Sequence, residues 1–152
     1  MTTLFVQRKR GAFAFGTATL QTGWTWRRGE IGIGDRVWTL EPTDRHRIGV
    51  TAYAGSHPAV RLHPRQSHVP GPGEPVRWRP GHRAGELTRD GRRIRLRIPA
   101  FSRGPVRVDV SGDWPALDLV VLTAVFALMA RRRQRTLTIA AIVGATGHGP
   151  VG

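Results

Sequence analysis

The chain has 152 residues, no cysteine, and 24 Lys or Arg against 10 Asp or Glu, a formal net charge of +14. The length fits one domain with a single core, and the missing cysteine excludes disulfides, thiolate metal sites and a cysteine nucleophile. Nearly all the positive charge is arginine, with Lys9 as the only lysine; a GC-rich coding sequence accounts for arginine in place of lysine but not for the excess over acids, which points to a phosphate-bearing partner.

The N-terminal "MTTLFVQRKRGAFAFG" places its charges after a short apolar run and lacks a long apolar core, so no secretory signal is expected and the default location is cytoplasmic, with peripheral association at a membrane. From there to residue 54, "TLFVQR", "AFAFGTA", "GWTWRR", "EIGI", "RVWTL" and "RIGVTAYA" read as short strands rich in aromatic and β-branched residues. Residues 55–85 hold six of the 11 prolines and four of the six histidines, which predicts a long irregular loop carrying one or two edge strands, "AVRLHP" and "PVRWRP". His57, His63 and His68 in this loop have neither metal-ligand spacing nor acidic companions, so no metal or other cofactor is expected.

The next segment is the clearest hairpin signal. In "LTRDGRRI", Asp90-Gly91 stands between two alternating runs, and a type I′ turn needs positive φ at both central residues. The stretch "GEIGIGDRVWTL" at 29–40 resembles "GELTRDGRRIRL" at 85–96, so two related hairpins are expected. In "RRIRLRIPAF", Ile94, Leu96 and Ile98 alternate with Arg93, Arg95 and Arg97, and in "PVRVDV" Val106, Val108 and Val110 alternate with Arg107 and Asp109. A period of two puts the apolar set on a core face and the guanidinium groups outside, as a cationic wall.

Residues 113–135, "DWPALDLVVLTAVFALMARRRQR", read as a helix over about 114–131 with Asp113 as N-cap, Pro115 in the first turn, and Arg131, Arg132, Arg133 and Arg135 at the negative end of its dipole. Leu119 to Ala130 carries no charge over 12 residues. That run covers roughly 18 Å at ~1.5 Å per residue, short of a ~30 Å hydrocarbon core. A helix apolar on all sides that does not span a bilayer must be surrounded by protein. Asp118 falls in its first turn, where the helix dipole favours a carboxylate near the mouth of such an enclosure. After it, "TLTIAAIV" suits a short closing strand, and residues 144–152 a glycine-rich tail.

The segment "GPVRVDVSGDWPALDLVVLTAVFALMARRRQRTLTIAAIV", residues 104–143, with "GELTRDGRRIRLRIPAF" before it, resembles the tubby C-terminal-like group, which includes the LURP-one-related and phospholipid scramblase proteins. That resemblance implies a mainly β fold over residues 1–143: a closed antiparallel barrel threaded by the hydrophobic C-terminal helix and completed by one short strand. In that group, tubby proteins bind phosphoinositide headgroups through basic surface residues and scramblases are tied to lipid movement. No headgroup motif transfers onto numbered positions here, and no acidic cluster matches the calcium-linked features of the family.

The residues give no nucleophile elbow, phosphate loop or paired carboxylates, so the expected function is a non-enzymatic, monomeric module for phospholipid headgroups or other phosphate-bearing anions. Its candidate contacts are Arg93, Arg95, Arg97, Arg107, Arg131, Arg132 and Arg133. Two other classes stay open. One is a small integral membrane protein with a single span at about 114–130. The other is a nucleic-acid-binding protein using Trp24, Trp26, Trp38 and Trp78 beside their neighbouring arginines as stacking platforms.

Overall fold

The structure, a computed structural model, describes residues 1–23, 25–44, 46–100 and 104–148, without the side chains of 135–148. Eleven strands and one helix follow in chain order: β1 (Thr2–Lys9), β2 (Ala12–Phe15), β3 (Ala18–Thr22), β4 (Gly29–Ile33), β5 (Arg36–Pro42), β6 (Val50–Ala54), β7 (His57–Leu62), β8 (Arg77–Pro80), β9 (Ala84–Arg89), β10 (Arg92–Arg97), β11 (Val106–Ser111) and α1 (Leu117–His148).

The strands form one antiparallel sheet in the order β7-β6-β5-β4-β3-β2-β1-β11-β10-β9-β8, curled into a nearly closed barrel. Neighbours in sequence pair as hairpins. The exception is β7 with β8, and β1 also pairs with β11 in the register Leu4↔Val108 and so ties the two ends of the meander together. Asp90 and Gly91, at φ 49° and 75°, make the tight turn between β9 and β10.

The strands alternate as their sequences dictate. Ile94, Leu96, Val106, Val108, Leu87 and Trp78 point into one core, while Arg93, Arg95, Arg97, Arg107, Arg77 and Arg79 point out. Into that core goes α1: every residue from Leu119 to Ala130 except the half-buried Met129 is buried, with packing against β2 through β7 and against β9 and β10. The one hydroxyl among them, Thr123 Oγ1, donates to the Leu119 carbonyl at 2.7 Å, so the buried turns carry no unsatisfied side-chain polar group there. Two strand glycines let the helix approach closely. A Cβ on Gly29 would meet the Phe126 ring at 2.9 Å, and one on Gly85 would meet Trp78 at 2.6 Å and Leu128 at 3.1 Å.

Several expectations need correction. The helix begins at Leu117, not at the Asp113 cap: Asp113 to Ala116 form an irregular turn with Ala116 at φ 53°, and the buried Trp114 donates its indole N–H to the Ser111 carbonyl at 3.2 Å. At its other end α1 runs on through residues 136–143, where a closing strand was expected, and takes in 144–148 of the expected tail. No glycine or proline interrupts the chain between Pro115 and Gly144, so the helix propagates through β-branched residues that would suit a strand equally well. Among the described residues no helix is long and apolar enough to cross a membrane. The segment "GWTWRR" is not a strand: a backbone bond from Trp26 N to Gly23 O closes a turn with Trp26 at φ 58°, and Trp24 lies outside the described residues.

The barrel is also not fully closed. β7 and β8 are edge strands that do not pair with each other. The chain between them fills the seam: His68 makes a two-bond bridge to Arg61 (2.8 and 2.7 Å), and Val69 and Val76 are buried in the core.

Candidate anion-binding surface

The outer face of β9, β10 and β11 carries four of the seven arginines singled out from the sequence. Register puts Arg95 opposite both Glu86 and Asp109, and Arg97 directly opposite Arg107. Glu86 receives Arg93 at 3.2 Å and Arg95 at 3.3 Å, so one carboxylate serves two guanidinium groups. Asp109 receives Arg107 at 3.3 Å and the Thr3 hydroxyl at 2.7 Å, and that hydroxyl, more than the arginines, holds its carboxyl below the usual range. Arg97 forms no ion pair among the described residues.

Like charges directly across a strand pair repel. Arg97 and Arg107 are such a pair, and with Arg83 they line an open cleft of about 450 Å³ whose remaining wall is Ala84, Ile98, Pro99, Ala100 and Pro105. A phosphate or carboxylate seated there would meet three guanidinium groups, each able to donate two parallel N–H bonds.

The other three candidates lie elsewhere. Arg131, Arg132 and Arg133 are half-buried on α1, away from the wall. Arg131 donates to the Pro80 carbonyl at 2.8 Å, which pins the helix to the end of β8. The Arg133 charge bears on Arg47, a buried guanidinium that donates to the Thr25 carbonyl at 2.7 Å; burial first, then Arg27 and Arg133, pull its pKa down. Arg131 thus contributes to the helix's seat, and the structure does not bring the three to the wall.

Of the tryptophans offered as stacking platforms, Trp26, Trp38 and Trp78 lie among the described residues, and these face inward. Trp38, Trp78 and Trp114 are buried, and Trp26 leans on Phe13 (5.8 Å between ring centroids) and Phe126 (5.6 Å). Asp118 turns its carboxyl onto the β2–β3 turn, where it accepts the Thr17 backbone N–H; partial burial nevertheless raises its pKa.

One cationic feature was not read from the sequence. Arg89 is only 5% exposed, and its guanidinium donates to the carbonyls of Val69, Pro70, Gly71 and Glu74 at 2.8–3.3 Å, clamping the seam segment. A signal was there: in "GELTR", Arg89 falls at the same parity as the inward Gly85 and Leu87. Comparison of the chain with known protein families, curated proteins and solved structures finds no match.

Proposed function

We propose that the protein is a binding module for anionic, phosphate-bearing partners, with the phospholipid headgroup of a membrane surface as the favoured one. The observation that carries this is the cross-strand pair Arg97 and Arg107, with Arg83 beside it, at an open cleft on a rigid sheet. Like charges facing each other across a strand pair cost stability in the free protein, Arg107 having Asp109 as partner and Arg97 no ion pair among the described residues, and an anion relieves that cost on binding. Arg93 and Arg95, sharing Glu86, extend the same positive face. A barrel holding a buried C-terminal helix, the tubby-like arrangement, suits this role because the scaffold leaves its outer face free for recognition.

The alternatives have less support. Among the described residues the tryptophans are buried or packed on core rings, which leaves little for nucleobases to stack on, and the helix that would have spanned a bilayer packs against the protein's own strands.

The test is co-sedimentation with phosphatidylcholine vesicles, with and without phosphatidylserine, over a salt series. Binding should require the anionic lipid and weaken as salt rises. Replacing both Arg97 and Arg107 by Gln should lower affinity about thirtyfold, at ~1 kcal/mol per arginine near an anionic surface. Equal binding to neutral vesicles, or a double variant that binds like the parent, refutes the reading. Tighter binding to a single-stranded oligonucleotide than to anionic vesicles would replace it with the nucleic-acid one.

A further inference from the structure

A second cationic site sits where the barrel fails to close. The cleft between β7 and β8 has a volume of about 1000 Å³ and is reached by Arg61 from β7, Arg77 from β8, Arg65 and His68 from the segment between them, and Arg89 from β9. A smaller cleft of about 290 Å³ continues past Arg65 and Arg77 to Arg79. The guanidinium groups thus converge from separate elements, unlike the single file on β10.

Charge balance is the main argument. None of Arg61, Arg65, Arg77, Arg79 or Arg89 forms an ion pair among the described residues. Among the described residues Glu74 is the only carboxylate lining the larger cleft, and Asp90 nearby is taken up by Arg92 and the Glu74 backbone N–H. Arg89 is satisfied as a hydrogen-bond donor, but its four acceptors are neutral carbonyls, so its charge remains uncompensated under the floor of the cleft.

Exposed arginines on edge strands also have a plainer use, since charge on an edge discourages pairing with another chain. That use accounts for Arg61, Arg77 and Arg79. It does not call for a folded-back segment bringing Arg65 and His68 to the same opening, nor for a buried guanidinium beneath it.

We infer that the seam cleft binds a small organic anion bearing two or more phosphate charges, held by Arg61, Arg65 and Arg77 in bidentate contacts. The volume lies at the upper end for small-molecule sites, leaving room for a body beyond the phosphates. Tyr53, Pro58 and Val76 form the less polar wall against which that body would lie. The ligand is either a free phosphorylated compound or a phosphomonoester lipid headgroup. This site is separate from the Arg97–Arg107 wall and stands or falls without it.

Calorimetric titration with inorganic pyrophosphate at low salt tests the site, with circular dichroism confirming the fold of each variant. In an Arg97→Gln/Arg107→Gln background, which removes the wall cleft, saturable binding of one pyrophosphate per chain is expected, weakened about tenfold or more on adding Arg61→Gln, Arg65→Gln or Arg77→Gln. The wall variant Arg95→Gln should leave it within about twofold. In a parallel arm with phosphatidylcholine vesicles containing phosphatidic acid, competition by pyrophosphate and loss of binding in Arg77→Gln identify a headgroup ligand. Vesicle binding indifferent to both identifies a free one. Absence of saturable pyrophosphate binding, or an Arg95→Gln effect as large as that of Arg77→Gln, overturns the inference. Failure of the wall reading shows up differently, as vesicle binding unaffected by the Arg97 and Arg107 replacements.

Discussion

Removing the Phe126 ring is the sharpest perturbation of the core. The side chain is 0% exposed, its ring edge lies 2.9 Å from where a Cβ on Gly29 would stand, and Trp26 packs over it at 5.6 Å between centroids. Phe→Ala at a buried site costs about 3–5 kcal/mol, depending on how far the surroundings collapse. Here one wall is the backbone of Gly29, held in register between Thr22 on β3 and Leu40 on β5, which cannot move in. Trp26, on a turn, can. Loss of the tilted aromatic contact adds about 0.5–1.5 kcal/mol, so Phe126→Ala should cost about 5 kcal/mol, a large part of a typical domain's 5–15 kcal/mol. Urea unfolding followed by tryptophan fluorescence measures it. The neighbouring glycine supplies the internal check. Gly29→Ala alone should cost about 2 kcal/mol by overpacking, and almost nothing once the ring is gone, a coupling of about 2 kcal/mol. A Phe126→Ala cost under about 1 kcal/mol, or strict additivity in the double variant, would refute the packing described.

Gly85→Ala should likewise destabilise by about 1–3 kcal/mol, because its Cβ would press on Trp78 and Leu128, whereas Gly32→Ala, with nothing within 4 Å, should be close to neutral; the same urea titrations compare them. Burial raises the Asp118 pKa on folding, so its contribution is fully present below the unfolded value of about 3.9 and is lost as pH rises through the folded value. The melting temperature of the parent should therefore fall relative to Asp118→Asn as pH rises through that window; a gap that moves the other way contradicts the assignment. Arg89→Leu should free the seam segment, since the carbonyls of residues 69–74 lose their donor, and limited proteolysis should then cut within residues 63–76 while the parent resists.

Much of the β architecture is legible because alternation leaves little choice. A strand such as "RRIRLR" has one face that must be buried and one that must not, and the DG turn fixes its partner and register. What is not legible are features decided by competition. "TLTIAAIV" has the β-branched content of a strand, yet it follows a helix with no breaker between them, and continuing an existing helix needs no new nucleus. "GWTWRR" has strand-like aromatics, but Trp26 is needed over Phe126, and that placement bends the chain into a turn. The closed barrel implied by the resemblance is nearly reached, and local pattern does not say that β7 and β8 stay apart. For the candidate site, the outward direction of Arg93, Arg95, Arg97 and Arg107 follows from parity alone, while the sharing of Glu86 by Arg93 and Arg95 depends on cross-strand register. The convergence of Arg61, Arg65, Arg77 and Arg89 depends on the path of a proline-rich segment, for which periodicity carries no information.

The burial of α1 by the chain's own strands underlies everything else, and the absence of native cysteine makes it directly measurable. A single cysteine at Leu122, which is fully buried, should resist an aqueous thiol reagent in detergent-free buffer and react only on global unfolding, while one at the exposed Val37 reacts at once. Equal rates at the two positions, or a protein that can be held in solution only by detergent, would contradict it.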